Sequence, residues 1–202
     1  NEFGNKGVEL LSIAEQLSGL RVLSLSGNKL TDHALSALAN SKALSELKRL
    51  FIQNNFLGSK GVADLAQSQV ITSLEILYLK QNPLRIDGAK ALANSCAFKD
   101  MKELYLGRTQ LGNDGLAQLC NGGSWPNLTA LSLAQNGLDD KSAHMLAETK
   151  LFPKLITPVA YTPLTLPTTP YVYLSMFGLP CNKTHNNSRQ GAWAIIIERT
   201  LG

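Results

Sequence analysis

Phe51, Tyr78 and Tyr105 stand 27 residues apart, and polar groups flank each of them. Arg49 and Gln53 lie two residues either side of Phe51. Lys80 follows Tyr78 by two, Glu103 precedes Tyr105 by two, and Arg108 comes three residues after Tyr105. Rings set among guanidinium, amide and carboxylate groups are the composition that protein-binding hot spots favour. The chemistry such residues can do is recognition: apolar area for adhesion, polar groups for orientation.

Bond-making chemistry finds less support. His33, His144 and His185 occupy unrelated positions of the repeat described below, so no one face collects them. His33 follows Asp32 at an expected helix start and reads as a solvated side chain. Asp139 and Asp140 are paired carboxylates at another helix start, where the helix dipole stabilises negative charge without a metal. Cys96, Cys120 and Cys181 are odd in number and far apart. They form neither a disulfide framework nor a Cys-x-x-Cys metal site, and read as small buried thiols in a reducing compartment. The glycines recur with the repeat and make no G-x-G-x-x-G loop. Asn127, Asn182 and Asn186 open sequons, which matter only if the chain is secreted. The expectation is therefore a chain that is not an enzyme, with no catalytic residue, no metal, no cofactor and no small-molecule substrate.

The residues above are placed by a repeat. The segments "LRVLSLSGNKL" (20–30), "LKRLFIQNNFL" (47–57), "LEILYLKQNPL" (74–84), "MKELYLGRTQL" (101–111) and "LTALSLAQNGL" (128–138) each begin 27 residues after the last. They share L-x-x-L-x-L-x-x-N-x-L. In the L-x-x-L-x-L part only Ile52 and Met101 depart from leucine, and in the asparagine column only Thr109 departs. Alternation L-x-L predicts a short strand with one buried face. The asparagine sits where the chain leaves the strand, so its amide can bond backbone groups that have left the ladder. Thr109 supplies only part of that, which predicts a weaker fourth repeat.

The second half of each repeat keeps register as well. Leucine recurs at 11, 38, 65, 92, 119 and 146, and a small residue at 7, 34, 61, 88, 115 and 142. Two residues before the small column come Asn5, Asp32, Ser59, Ile86, Asn113 and Asp140. Five of these six are good N-caps, so each is expected to cap a helix of its own repeat, with glycine two residues on allowing close approach to the neighbouring helix. A strand followed by a helix, repeated, forces parallel strands, because the helix carries the chain back to the same end of the sheet. Each unit must lean on its neighbours, since one alone cannot bury its leucines.

These residues resemble the leucine-rich repeat family, in particular its long-repeat class typified by ribonuclease inhibitor; "LGSKGVADLA" and "RIDGAKALA" are typical of that class. The resemblance implies an α/β solenoid arc with the parallel sheet on its concave face and helices on its convex face. It covers 1–155, a half repeat and five repeats of 27. It further implies a protein-recognition scaffold. Such repeats serve as enzyme inhibitors, as sensor arms of immune receptors, as host-directed effectors of intracellular bacteria, and in GTPase-activating proteins for Ran. The last is the rival reading, resting on Arg85, the one arginine in a rim column otherwise holding Gly4, Thr31, Gly58, Gly112 and Asp139.

On a strand, residues flanking the buried leucines point away from the core. The column between the last two leucines reads Ser24, Phe51, Tyr78, Tyr105, Ser132. Parallel strands lie about 4.8 Å apart, which predicts a contiguous, exposed aromatic ladder. The candidate partner-binding set is Arg49, Phe51, Gln53, Tyr78, Lys80, Glu103, Tyr105 and Arg108. Aromatics also favour exposed strands for cross-strand packing alone, and that reading stays open. The expected partner is another protein. The net charge of +4 is scattered over mixed-sign columns and does not argue for nucleic acid. No apolar run approaches the roughly 20 residues of a membrane helix. The expected setting is the cytoplasm, or a host cytosol for a bacterial effector.

The pattern stops after Leu155. Proline stands at 158 and 163, where the register calls for leucine and asparagine, and proline cannot donate to a central ladder. Residues 156–202 are expected to form a poorly ordered Pro/Thr-rich tail. A frame or splice change, a native cap or linker, and a binding segment are its three readings. The chain also opens on the turn asparagine of a repeat, which is read as a fragment of a longer protein.

Overall fold

The computed structural model describes residues 3–122, 125–150, 152–154, 172–176 and 195–199, the last two segments as backbone. Five strands carry the L-x-L segments: β1 (Val22–Ser24), β2 (Arg49–Phe51), β3 (Ile76–Tyr78), β4 (Glu103–Tyr105) and β5 (Ala130–Ser132). They pair in parallel, and each residue faces its counterpart 27 positions on. Helices α1 (Gly4–Ser12), α2 (Asp32–Ala39), α3 (Ser59–Ala66), α4 (Arg85–Ala93), α5 (Gly112–Asn121) and α6 (Asp140–Glu148) alternate with them. The fold is a leucine-rich repeat solenoid. Two further strands, β6 (Val172–Met176) and β7 (Ile195–Arg199), continue the sheet in the order β5-β7-β6, all parallel. Apart from those two strands, the expectations for residues 156–202 lie outside the described residues.

The core is the leucine columns. Leu50, Leu77 and Leu104 stack across β2, β3 and β4, and Ile52, Leu79 and Leu106 stack beside them, all essentially without solvent contact. Leu38, Leu65 and Leu92 close the core from the helix side. Four of these three-residue strands bury only their middle side chain, and β5 buries Ala130 as well, so stability comes from stacking between repeats rather than from any one unit.

The asparagine column behaves as its position predicts. Asn55 is buried; its Oδ1 accepts from the Asn28 and Leu30 amides at 2.9 and 3.0 Å, and its Nδ2 donates to the Leu25 and Ile52 carbonyls. Asn82 and Asn136 repeat the pattern. Each amide thus satisfies backbone groups of two adjacent repeats. Thr109 keeps half of this: its hydroxyl donates to the Leu106 carbonyl at 2.6 Å. With no carbonyl there to receive it, the Leu84 amide turns to the Asn82 carbonyl at 2.9 Å.

The capping expectation needs correction. Helices α2, α3 and α6 start on the column 32/59/140, and α1, α4 and α5 start one residue before it, so these side chains lie inside their helices. Only Asp139, one residue earlier, caps its own helix, accepting from the Lys141 and Ser142 amides. The column bonds forward instead. Asn5 Oδ1 accepts from the Thr31 amide, Asp32 Oδ1 from the Gly58 amide at 2.6 Å, and Asn113 Oδ1 from the Asp139 amide. Each donating amide belongs to the residue preceding the next helix. The caps work between repeats because the helices stand side by side with their N-termini level.

Glycine in the adjoining column does permit close packing. A Cβ at Gly61 would meet the Asp32 Cα at 2.8 Å and the Leu35 Cβ at 3.1 Å. The far end of each helix is tied too. Ser41 Oγ donates to the Ser12 carbonyl, Ser68 Oγ to Ala39 and Ser95 Oγ to Ala66. These serines are 27 apart and seal the C-terminus of the preceding helix, where carbonyls lack intrahelical partners. Gly122 takes their place next in the column, because a Cβ there would sit 2.2 Å from the Ala93 Cβ.

Candidate protein-binding face

The ladder forms as the register requires. Phe51 is opposite Tyr78, and Tyr78 opposite Tyr105. The Phe51 and Tyr78 ring centroids are 4.8 Å apart at 37°, and Tyr78 and Tyr105 stack at 3.9 Å and 18°. The expected exposure is corrected: all three rings are half-buried rather than exposed, because each covers part of its neighbour. Ser24 and Ser132 bound the ladder on β1 and β5.

The polar members divide into engaged and open groups. Glu103 accepts the Tyr105 hydroxyl at 3.0 Å. Burial, with Tyr78 and Glu103 beside it, holds that hydroxyl well above the ordinary tyrosine range, so it remains a donor. Arg108 is exposed, and its Nε donates to Gln135 Oε1. Arg49 and Lys80 are exposed, and the Lys80 stem lies over Gly107, whose missing side chain leaves room for it. Gln53 is half-buried, and its amide oxygen is occluded with no hydrogen-bond partner among the described residues. The eight predicted residues therefore lie on adjoining columns of one sheet face, with Arg49, Lys80 and Arg108 as its projecting charges.

One element of this face was missed from the sequence. Lys48, Glu75 and Lys102 occupy the column just before the strands. Glu75 bonds Lys48 at 2.9 Å and Lys102 at 2.7 Å. The Lys102 and Lys48 ammonium groups hold its carboxyl down to about 2. Opposite charges at a spacing of 27 were the signal available.

Elsewhere the side chains offer less. His144 pairs with Glu148 one helical turn on. Cys96 is exposed and Cys120 half-buried, which corrects the reading of both as buried thiols; Cys120 packs on the edge of the leucine core and Cys96 lies outside it. Burial pushes the Cys120 thiol up, away from the reactive thiolate. Among the described residues no three His, Cys, Asp or Glu side chains gather as a metal site, and no helix is long and apolar enough to cross a membrane.

A comparison with protein families agrees with this architecture. The family model described as Leucine Rich repeat matches residues 18–39 and 126–147. No curated protein matches the chain. Among solved structures, an internalin (inlF) from Listeria monocytogenes is similar at 22% identity and a TM-score of 0.37. That match covers 67% of this chain and 48% of the other, so the chain aligns with about half of that protein's length.

Proposed function

We propose that this leucine-rich repeat protein is a binding scaffold that holds a partner protein on its concave sheet face and catalyses nothing itself. The observation that carries the reading is the unbroken Phe51–Tyr78–Tyr105 stack, with rings 4.8 and 3.9 Å apart. Stacking prepays the rotamer entropy of these side chains, so a partner meets a pre-ordered surface. Arg49, Lys80 and Arg108 ring that surface with polar handles, as interface rims require. The repeat of 27 residues, with an α-helix in every unit, supports placement in the ribonuclease-inhibitor-like class.

Affinity capture with the wild-type chain and with F51A/Y78A/Y105A tests the reading. Loss of a captured protein by about tenfold is expected, consistent with several hot-spot residues removed together. Thermal midpoints of both proteins check that the variant folds. Equal recovery from a folded variant removes the ladder from the function.

A second reading, a Ran-type GTPase-activating protein, draws on Arg85. It is exposed, has φ of +57° where Gly4 and Gly112 stand in two other repeats, and lines an open groove of about 570 Å³ with Gln110 and Asn113. A single-turnover GTP hydrolysis assay decides it: acceleration that Arg85→Ala abolishes supports it, and no acceleration ends it.

A further inference from the structure

The concave face differs in charge from the rest of the molecule. Just before the strands, Arg21, Lys48 and Lys102 share a column with one carboxylate, Glu75, which is already bonded by two of them. Along and after the strands, Arg49, Lys80 and Arg108 stand against one more, Glu103, which is occupied by the Tyr105 hydroxyl. The helices show the reverse balance, with seven carboxylates against five basic side chains from α1 to α6. The chain's net charge of +4 hides this division.

The ring geometry adds a second, independent indication. An aromatic ring is electron-rich on its faces and electron-poor at its edge. Tyr78 lies between Phe51 and Tyr105, so its faces are covered and its edge is what the surface presents. Ring edges attract carboxylate and carbonyl oxygens. Single-stranded nucleic acid, the other polyanion, binds aromatic surfaces by stacking bases on open ring faces. Here the middle ring has none to give.

We infer that the segment received by this face is an acidic stretch of the partner protein, its carboxylates meeting Arg49, Lys80 and Arg108 and an apolar side chain resting on the ladder. This rests on the concave face being the binding surface. Charge complementarity then sets approach and register, and the ladder supplies adhesion.

Selection separates this inference from the reading beneath it. Random dodecapeptides displayed on phage are panned on the wild-type chain, on F51A/Y78A/Y105A and on R49E/K80E. The last variant changes only exposed side chains and should keep its fold. Peptides that need the ladder are expected to be rich in Asp and Glu around one aromatic or aliphatic residue. Fluorescence anisotropy of the strongest should show affinity reduced about tenfold in R49E/K80E, and falling with added salt. Ladder-dependent peptides of neutral or basic composition overturn the acidic partner but leave the concave face as the binding surface. An acidic peptide that binds R49E/K80E equally well also overturns it. If neither variant changes which peptides are selected, both readings fail. If (dT)20 binds more tightly than the strongest peptide, and loses affinity in both variants, single-stranded nucleic acid replaces protein as the ligand.

Discussion

Single residues decide how well one repeat is joined to the next. Thr109 is fully buried where four other repeats carry asparagine; its hydroxyl reaches the Leu106 carbonyl and Asn136 Oδ1 but offers no side-chain amide to bond the Leu84 amide as an asparagine would. Thr109→Asn restores an acceptor for the Leu84 amide and a second donor for the turn. It is expected to raise stability by about 1 kcal/mol, read as a higher thermal midpoint. Asn82 makes the opposite case. Removing its side chain leaves the Leu57 amide and the Leu79 carbonyl unsatisfied in the interior, and takes one of two donors from the Ile52 carbonyl. Glu75 adds a pH dependence. Its folded carboxyl titrates near 2 against an ordinary 4.5, so its contribution is complete above about pH 4.5 and is lost as pH falls toward 2. Glu75→Gln should flatten an acid-unfolding profile within that window. The effect will be modest, since about a quarter of the side chain is in solvent and salt screens such pairs.

Elements meet through columns that are legible only in part. The leucine and asparagine columns could be read directly, because burial and turn chemistry leave few residue types able to serve. The capping column could be read as polar, yet its partners were misassigned. Asp32 looks like a cap for α2, but its carboxylate bonds the Gly58 amide of the next repeat. Sequence spacing cannot distinguish a bond made three residues along the chain from one made 26 residues along it, when both acceptor and amide recur every turn. The serine column at 41, 68 and 95 went unread for the same reason: a serine in a loop looks local until the neighbouring helix end is seen above it. Gly61 tests the packing of α3 on α2. Gly61→Ala forces a methyl against the Asp32 backbone and should cost about 1–3 kcal/mol in chemical denaturation. Gly19→Ala, with nothing within 4 Å, is the matched control and should be near neutral.

At the scale of the whole molecule, stability is a chain of neighbour contacts. Leu77 on β3 is buried with Leu50 on one side of it and Leu104 on the other. Leu77→Ala removes buried volume with no local means of collapse and should cost about 3 kcal/mol. In a solenoid the loss is expected to be local first. Amide hydrogen exchange should speed in β2, β3 and β4 well before α1. Uniform acceleration across all repeats would instead show that the arc unfolds as one unit. The same architecture sets the candidate face. It holds eight side chains from three repeats on adjoining columns, which no single segment of chain could do.

The amino-acid sequence by itself determined the period, the strands, the buried columns and the alignment of Phe51, Tyr78 and Tyr105. A strict spacing of 27 with leucine at fixed positions admits one parallel stacking register, and register places like above like. Tertiary structure alone decided how those side chains engage. Ring tilt, the capture of Glu103 by the Tyr105 hydroxyl, the bridging of two lysines by Glu75 and the forward reach of Asp32 all depend on distances between repeats. Those distances follow from how closely helices can approach, and Gly61 and Gly122 help to set them through side chains they do not have.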